Sequence, residues 1–545
     1  MRRSVFRFSF RRLNALPRLA WCARIQRGCS EIVVEHGPWV EARSTFFVEG
    51  AWDGAFAQGR LEHAGMLLGS GGATLASEAI FCTTTHTMER LHGVRIGDAL
   101  WLSNSFAYLL HATGDEPDVN YRYYERDFMT FLHGRRRALR SVPTARGRQV
   151  MLYYGERLHI DRELGVRAEP YADAPHLQNY TDYLNHVEAL LKRLYTNADD
   201  PARARRYTPL ATLSSGYDSP ACAVLAQALG CSAAITLQNA RRDYYGCAGA
   251  PTDNDDSGAG VATHLGMQLK VFSRDAYRTL ADFPEAEFIA TGNGGDDVVL
   301  AAAERELPRT LLFTGFLGDT LWGLGGADPA ASRDYAYTFP AGGTFGEFRL
   351  RVGYIHVPVP LLTFTRHDDI RRISLSPDMA PWRVGGSYDR PIPRRLVETA
   401  GVPRAIYARE KKAVTQPFWL PAEDDRLRAM MSPNSYASLS AYAKEAAIIA
   451  RLNLASRIKM ALAPLALPVA GGVNWYGRKL TRLLGIRRLP QLATGQFRPS
   501  VLFGTPAGLK FHWAVATVRR RYAATEFGAA ECDRTPISPA AIARS

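Results

Sequence analysis

Residues 207–229 run Tyr-Thr-Pro-Leu-Ala-Thr-Leu, then Ser-Ser-Gly-Tyr-Asp-Ser, then Pro-Ala-Cys-Ala-Val-Leu-Ala-Gln-Ala-Leu. An apolar run, a short polar loop and an alanine- and leucine-rich stretch predict a buried strand, a turn at Ser214–Ser219 and the first turns of a helix. Pro220 suits such a start, because the first helical turn needs no N–H from it. A loop of hydroxyls and one glycine at the carboxyl end of a strand lets backbone N–H groups and the positive helix end converge on an anion. In α/β architectures that anion is phosphate. Asp218 faces a phosphate only with a cation between them, which implies Mg²⁺ and, with the loop, ATP.

The chain has neither a Gly-x-x-x-x-Gly-Lys-Ser/Thr segment nor a Gly-x-Gly-x-x-Gly that opens a helix after a strand, so the commoner nucleotide loops are excluded. Ser232–Gln238 is a second apolar strand, Asp255–Met267 a helix that ends near Gly266, and Gln268–Phe272 a third strand. This alternation has βαβ spacing. Arg309–Trp322 then gives another buried strand that ends at Thr314-Gly315, followed by a turn that carries Asp319. Asp218 and Asp319 thus leave parallel strands at one sheet edge, where they could share a magnesium ion.

The Ser214–Ser219 loop resembles the Ser-Gly-Gly-x-Asp-Ser loop of the ATP pyrophosphatases, with Ser215 in place of the first glycine. The order of loop, strand, acidic helix start and Thr-Gly-x-x-Gly-Asp turn resembles the synthetase domain of the asparagine synthetase family. That likeness continues through Arg390–Arg404 and Ala408–Val414. It implies a doubly wound α/β sheet of the adenine nucleotide α-hydrolase type and cleavage of ATP between the α and β phosphates. ATP would be held by the backbone and hydroxyls of Leu213, Ser214, Ser215, Gly216, Tyr217, Asp218 and Ser219, with Thr314 and Gly315. Asp218 and Asp319 would hold Mg²⁺, and Lys411 would be the catalytic lysine beside its neighbour Lys412. The chain departs from the family at Phe316, where asparagine synthetases carry glutamate and β-lactam synthetases tyrosine, and at Thr320, often glutamate. A phenyl ring neither transfers a proton nor binds an ammonium, so the departure weakens the aspartate-to-asparagine reaction and leaves adenylation intact.

Asparagine synthetases begin with a glutaminase domain whose nucleophile is a cysteine at residue two, where this chain has Arg2. Ser44–Val48, Gly50–Phe56, Arg95–Ser103 and Gln149–Ile160 read as short strands of a similar β-rich α+β domain. Ser103-Asn104-Ser105-Phe106 stands where the family starts a helix with Ser-Asp-x-Glu, and both acidic positions are gone. An N-terminal nucleophile needs a free α-amine. Cys29 would serve only after loss of the 28 residues before it, so the domain reads as glutaminase-like but degenerate.

The 545 residues suit two domains with extensions, and 46% hydrophobic content suits a folded soluble chain. The seven cysteines include no Cys-x-x-Cys pair, which indicates neither a disulfide framework nor a structural zinc site and fits a reducing cytoplasm. Residues 1–30 hold eight arginines and no acid, and residues 446–525 hold thirteen Lys or Arg and no acid. These segments carry +21 against +14 for the chain, which leaves −7 elsewhere. The catalytic region is therefore not basic, and a nucleic-acid partner is disfavoured. Met460–Val473 is apolar, broken by Pro464 and Pro468, and flanked by Arg457, Lys459, Arg478, Lys479, Arg482, Arg487 and Arg488. It is shorter than the roughly twenty residues that span a bilayer, so it reads as a packing element or a peripheral membrane contact, with Trp475, Tyr476, Phe511 and Trp513 serving either.

The sequence thus predicts a basic arm (1–30), a degenerate glutaminase-like domain (31–165), an ATP pyrophosphatase domain (170–430) and a helical basic extension (431–545). A helix over Gln178–Tyr195, with Tyr180, Leu184, Val187, Leu191 and Leu194 on one stripe, should join the two domains. The expected activity is AMP-forming amide ligation between a small-molecule or peptide carboxylate and an amine donor. The alternatives are RNA modification by base adenylation and a non-catalytic nucleotide-binding descendant.

Overall fold

The computed structural model describes residues 5–134, 138–238, 255–280, 285–291, 297–324, 343–386, 388–409, 428, 431–445, 448–449, 451–458, 506–525 and 527. The strands of the first part are β1 (Arg7–Arg12), β2 (Trp21–Gln26), β3 (Glu31–His36), β4 (Glu41–Ala42), β5 (Phe46–Trp52), β6 (Leu67–Thr74) and β7 (Ala79–Cys82). They continue with β8 (Leu91–Ile96), β9 (Ala99–Ser103), β10 (Ser141–Pro143), β11 (Gln149–Tyr153), β12 (Glu156–Ile160) and β13 (Val166–Pro170). One sheet runs β1-β3-β2-β9-β8-β11-β10 and the other β13-β12-β7-β6-β5-β4. Alternation within the strands builds the space between them. Trp21, Ala23 and Ile25 of β2 share a core with Phe47, Phe81 and Leu158 of the opposite sheet, while Cys22 faces away.

Residues 1–30, expected from their charge to be an arm, instead supply β1 and β2. β2 lies between β3 and β9 in the sheet. Arg7 and Arg11 of β1 alternate with Phe8 and Phe10, whose rings lie 5.2 and 6.1 Å from Phe47. Gln149–Ile160 is two strands on different sheets. Gly155, at φ +59°, lets the chain cross between them. The first unit ends at Pro170, a few residues past the expected boundary.

The joining helix runs Tyr180–Ala198, capped by Asn179, whose side chain accepts from the Asp182 N–H at 3.0 Å. Tyr180, Val187, Leu191 and Leu194 are buried with Ala51 and Leu68 of the first unit, and half-buried Leu184 packs on the same core.

Beyond it lie β14 (Thr208–Thr212), β15 (Ala233–Gln238), β16 (Gln268–Ser273), β17 (Thr310–Thr314) and β18 (Ile355–Pro358). All are parallel, in the order β16-β15-β14-β17-β18. Leu210, Ile235 and Leu312 enter one core, and Ala211, Ala234, Leu311 and Phe313 the opposite one, so both faces of the sheet are covered. The chain winds outward from β14 in one direction and resumes at β17 in the other. The crevice between the carboxyl ends of these two strands is the switch point, where open α/β sheets bind ligands.

The C-terminal helices Pro433–Lys444 and Pro506–Arg519 pack on each other and on the first unit. Phe511 stacks on Tyr124 at 5.0 Å, and Trp513 is buried with its indole N–H on Ser438. These two aromatics are core residues and not a membrane-facing pair. No helix among the described residues is long and apolar enough to cross a membrane. Met460–Val473, with Lys459, Trp475, Tyr476, Arg478, Lys479, Arg482, Arg487 and Arg488, lies outside the described residues.

Candidate functional site

The β14 strand ends at Thr212, and buried Leu213 donates its N–H to the Ile235 carbonyl at 2.9 Å. The helix that follows begins at Asp218, so the turn is closed within Ser214–Tyr217. Ser214 and Ser219 hydroxyls meet at 2.7 Å across its mouth, and Gly216 N–H donates to Ser214 Oγ at 3.2 Å. Ser215 is held from both sides. Its N–H and hydroxyl donate to Asp256 Oδ1 at 3.1 and 2.5 Å, and its carbonyl accepts from Ala408 N–H at 2.6 Å.

Asp256 was expected in an acidic helix start. The helix begins only at Ala259, however, and Asp256 is a buried brace for the loop. Gly258 sets that geometry. Its φ is +62°, and a Cβ there would stand 2.7 Å from the Ser214 carbonyl oxygen.

The turn after β17 approaches from the other side of the switch point. A Cβ on Gly315 would fall 2.5 Å from Asp218 Cβ, and one on Gly318 the same distance from Asp218 Cγ. The glycines of the Thr-Gly-x-x-Gly-Asp pattern therefore make room for the Asp218 side chain, and the turn brings Asp319 to the same place. Asp319 is exposed and Asp218 half-buried.

Leu213, Tyr217 and Thr314, grouped by sequence with the nucleotide contacts, bury their side chains, so only their backbone can face a ligand. Tyr217 packs on Tyr388 and Tyr407, and its hydroxyl accepts from Arg394. Thr314 Oγ1 meets His356 Nε2 at 2.7 Å. Phe316 turns toward Phe345 and His356, at 5.4 and 5.7 Å, in an aromatic cluster. Lys411 and Lys412 lie outside the described residues; the chain reaches the loop at Ala408, three residues before Lys411.

Arg390 is the site residue that sequence reasoning missed. The residue is 5% exposed, and its guanidinium donates to Asp218 Oδ2 and lies over the rings of Tyr217 and Tyr388 at 5.9 and 5.2 Å. Burial pulls its pKa down, but Asp218, Tyr388 and Asp319 outweigh that and hold it above the ordinary arginine value. It precedes Pro391, the first residue of the helix Pro391–Thr399. Nothing local in sequence links it to an aspartate 172 positions away.

Two carboxylates beside a loop of hydroxyls suit Mg²⁺ that also takes phosphate oxygens, since this ion is held by one or two carboxylates plus substrate. No group of three or more His, Cys, Asp or Glu among the described residues forms a cage of its own. A separate cavity of about 100 Å³ between the two units is lined by His92, Phe106, Glu89 and Arg349, among others, and by no residue of the loop.

The first unit lacks a poised nucleophile among its described cysteines. Burial raises the pKa of Cys22 far above the ordinary thiol value and that of Cys82 to about 12. Cys29 is exposed. Cutting before it would remove β1 and β2, and with β2 an interior strand of the sheet. Asn104 and Ser105, at the start of the helix Phe106–Ala112, serve structure. Asn104 accepts from Trp21 N–H at 3.0 Å, and Ser105 caps the helix Phe106–Ala112 through the Tyr108 N–H.

The units are joined by charge as well as by apolar packing. Arg349 of the second unit forks onto Glu49 of β5 at 2.7 and 3.0 Å and reaches Glu89 at 2.7 Å. Arg349 and Glu49 are both almost fully buried.

No family model matches the chain, and no curated protein matches it.

Proposed function

We propose that this chain is an AMP-forming, ATP-dependent amide ligase of the asparagine synthetase type that works without a glutaminase. The observation that carries the reading is the meeting of the Ser214–Ser219 loop with Asp218 and Asp319 at the switch point of a parallel sheet. Ser214, Ser215, Gly216 and Ser219 would hold the pyrophosphate portion of ATP, and Asp218 and Asp319 would hold Mg²⁺. Bound there, the ion would neutralise charge on the phosphates. A substrate carboxylate oxygen attacks the α-phosphorus, the bond to the bridging oxygen of the β-phosphate breaks, and pyrophosphate leaves. An amine nitrogen then attacks the acyl carbon, AMP departs, and the nitrogen loses its proton. Lys411 would stabilise the negative charge on the phosphate and the tetrahedral intermediate.

The test is carboxylate-dependent exchange of labelled pyrophosphate into ATP across a panel of small and peptide carboxylates, followed by amines. Exchange with a carboxylate alone, and AMP release on adding an amine, is the expected result. ADP and phosphate as products, or no exchange while RNA copurifies and becomes adenylated, would replace this reading with another.

A further inference from the structure

We infer that Arg390 is a built-in counter-ion that keeps Asp218 and Asp319 from taking a divalent cation until an anionic phosphate group arrives, making metal binding depend on nucleotide. The inference rests on the proposed function for the identity of that phosphate, but the counter-ion role itself comes from the geometry.

The guanidinium donates to Asp218 and is drawn also by Asp319, so two carboxylates and one cation leave a net charge of −1. A bare divalent ion would compete with this guanidinium for Asp218 while it sheds water, with no cage of three side chains to repay the loss. An incoming phosphate changes the balance. It adds negative charge, supplies oxygens to the metal, and gives the planar guanidinium a bidentate partner of its own. Arg390 is placed for this exchange, since Tyr217 lies in the loop and its ring, with that of Tyr388, holds the guanidinium beside it. Arg394, one turn on, is committed to the Tyr217 hydroxyl and to Glu398. Arg390 is a positioning residue, and its loss should produce a gain, tighter metal binding, that a merely structural arginine would not yield.

The experiment measures Mn²⁺ binding to the full chain by electron paramagnetic resonance, with and without α,β-methylene-ATP, alongside equilibrium dialysis of the nucleotide. The parent should bind Mn²⁺ weakly alone and roughly tenfold or more tightly with nucleotide, the scale of one charge-assisted bond. Arg390→Gln should bind Mn²⁺ without nucleotide roughly tenfold more tightly than the parent, and Asp218→Asn in that background should erase the gain. Arg390→Lys, which keeps the charge, should stay as weak as the parent. If Arg390→Gln does not fold, Arg390→Met, which keeps bulk against Tyr217 and Tyr388, replaces it. Mn²⁺ affinity in the neutral variant no greater than the parent's, a gain that survives loss of Asp218, or nucleotide binding that leaves parental Mn²⁺ affinity unchanged would each overturn the inference. Absence of nucleotide binding together with the predicted gain would support the counter-ion and overturn the ligase reading.

Discussion

Gly216 lies in the Ser214–Ser219 loop and Gly315 packs against its end at Asp218 and Ser219, yet alanine at each should fail differently. At Gly315 the added carbon would lie 2.5 Å from Asp218 Cβ and 2.6 Å from the Asp218 carbonyl carbon, against the 3.4 Å at which ordinary contact begins. Either the turn or the start of the helix Asp218–Gln227 must therefore retreat by about 0.9 Å, and backbone cannot swing aside as a side-chain tip can. Overpacking of this kind costs roughly 1–3 kcal/mol, with or without ligand. At Gly216 the new carbon would meet only Ser214 Oγ and Tyr388 Oη, both at 3.4 Å, and the φ of Gly216 lies outside the left-handed region. The fold accepts that alanine and gains about 0.4–1 kcal/mol from the stiffer unfolded chain. A phosphate seated on the loop backbone would meet the methyl group, however, and lose one or two charge-assisted bonds, roughly tenfold to a hundredfold in affinity. Thermal melts and equilibrium dialysis with labelled ATP separate the outcomes. Gly315→Ala as stable as the parent would refute the packing argument, and Gly216→Ala with parental ATP affinity would show that no phosphate touches the loop.

Asp319→Asn should abolish Mg²⁺-dependent ATP turnover with an unchanged melt, whereas Asp218→Asn should also destabilise by about 3 kcal/mol because it strands buried Arg390; parental turnover in both would dismiss the metal assignment. Lys411→Ala should lower amide formation by roughly two orders of magnitude while binding ATP nearly as the parent does, with Lys412→Ala much milder; equal losses, or a loss confined to ATP binding, would remove the role given to Lys411. Deletion of residues 1–28 should yield insoluble protein, and the full chain should release no glutamate from glutamine; Cys29-dependent release would restore the glutaminase. Burial, reinforced by Arg349, Arg90 and Arg122 respectively, lowers the pKa of His86 and His92 to about 3 and of His512 to about 4. The unfolded chain then binds more protons than the folded one below about pH 6.5, so stability should fall on acidification toward pH 4, by up to about 1.4 kcal/mol per pH unit per histidine. Urea titrations between pH 7 and 4 would measure the slope, and a flat profile would contradict the burial of these rings.

Four strands of the parallel sheet, β14 to β17, were legible as short runs rich in apolar and β-branched residues at βαβ spacing, a pattern that depends on neighbours in sequence, whereas β18 was not read. The loop at Ser214–Ser219 was legible for the same reason. What escaped depends on partners far along the chain. Arg390 looks like any arginine before a proline, Asp256 like an exposed helix cap, and Tyr217 like a loop residue until Tyr388, Arg394 and Tyr407 surround it. The strands within residues 1–30 were hidden by counting charge instead of alternation, although Phe8 and Phe10 already mark an inward face.

The ion triplet of Arg349, Glu49 and Glu89 has a consequence for what the chain can lose. Freed from the first unit, the second would expose or strand a buried guanidinium together with the apolar surface around it, and the first would be left with carboxylates that have lost the guanidinium forked onto them. The first unit is thus a co-folding partner of the second. Its shape is needed, and a truncated gene that encodes only the second unit would encode a protein without half of its own foundation.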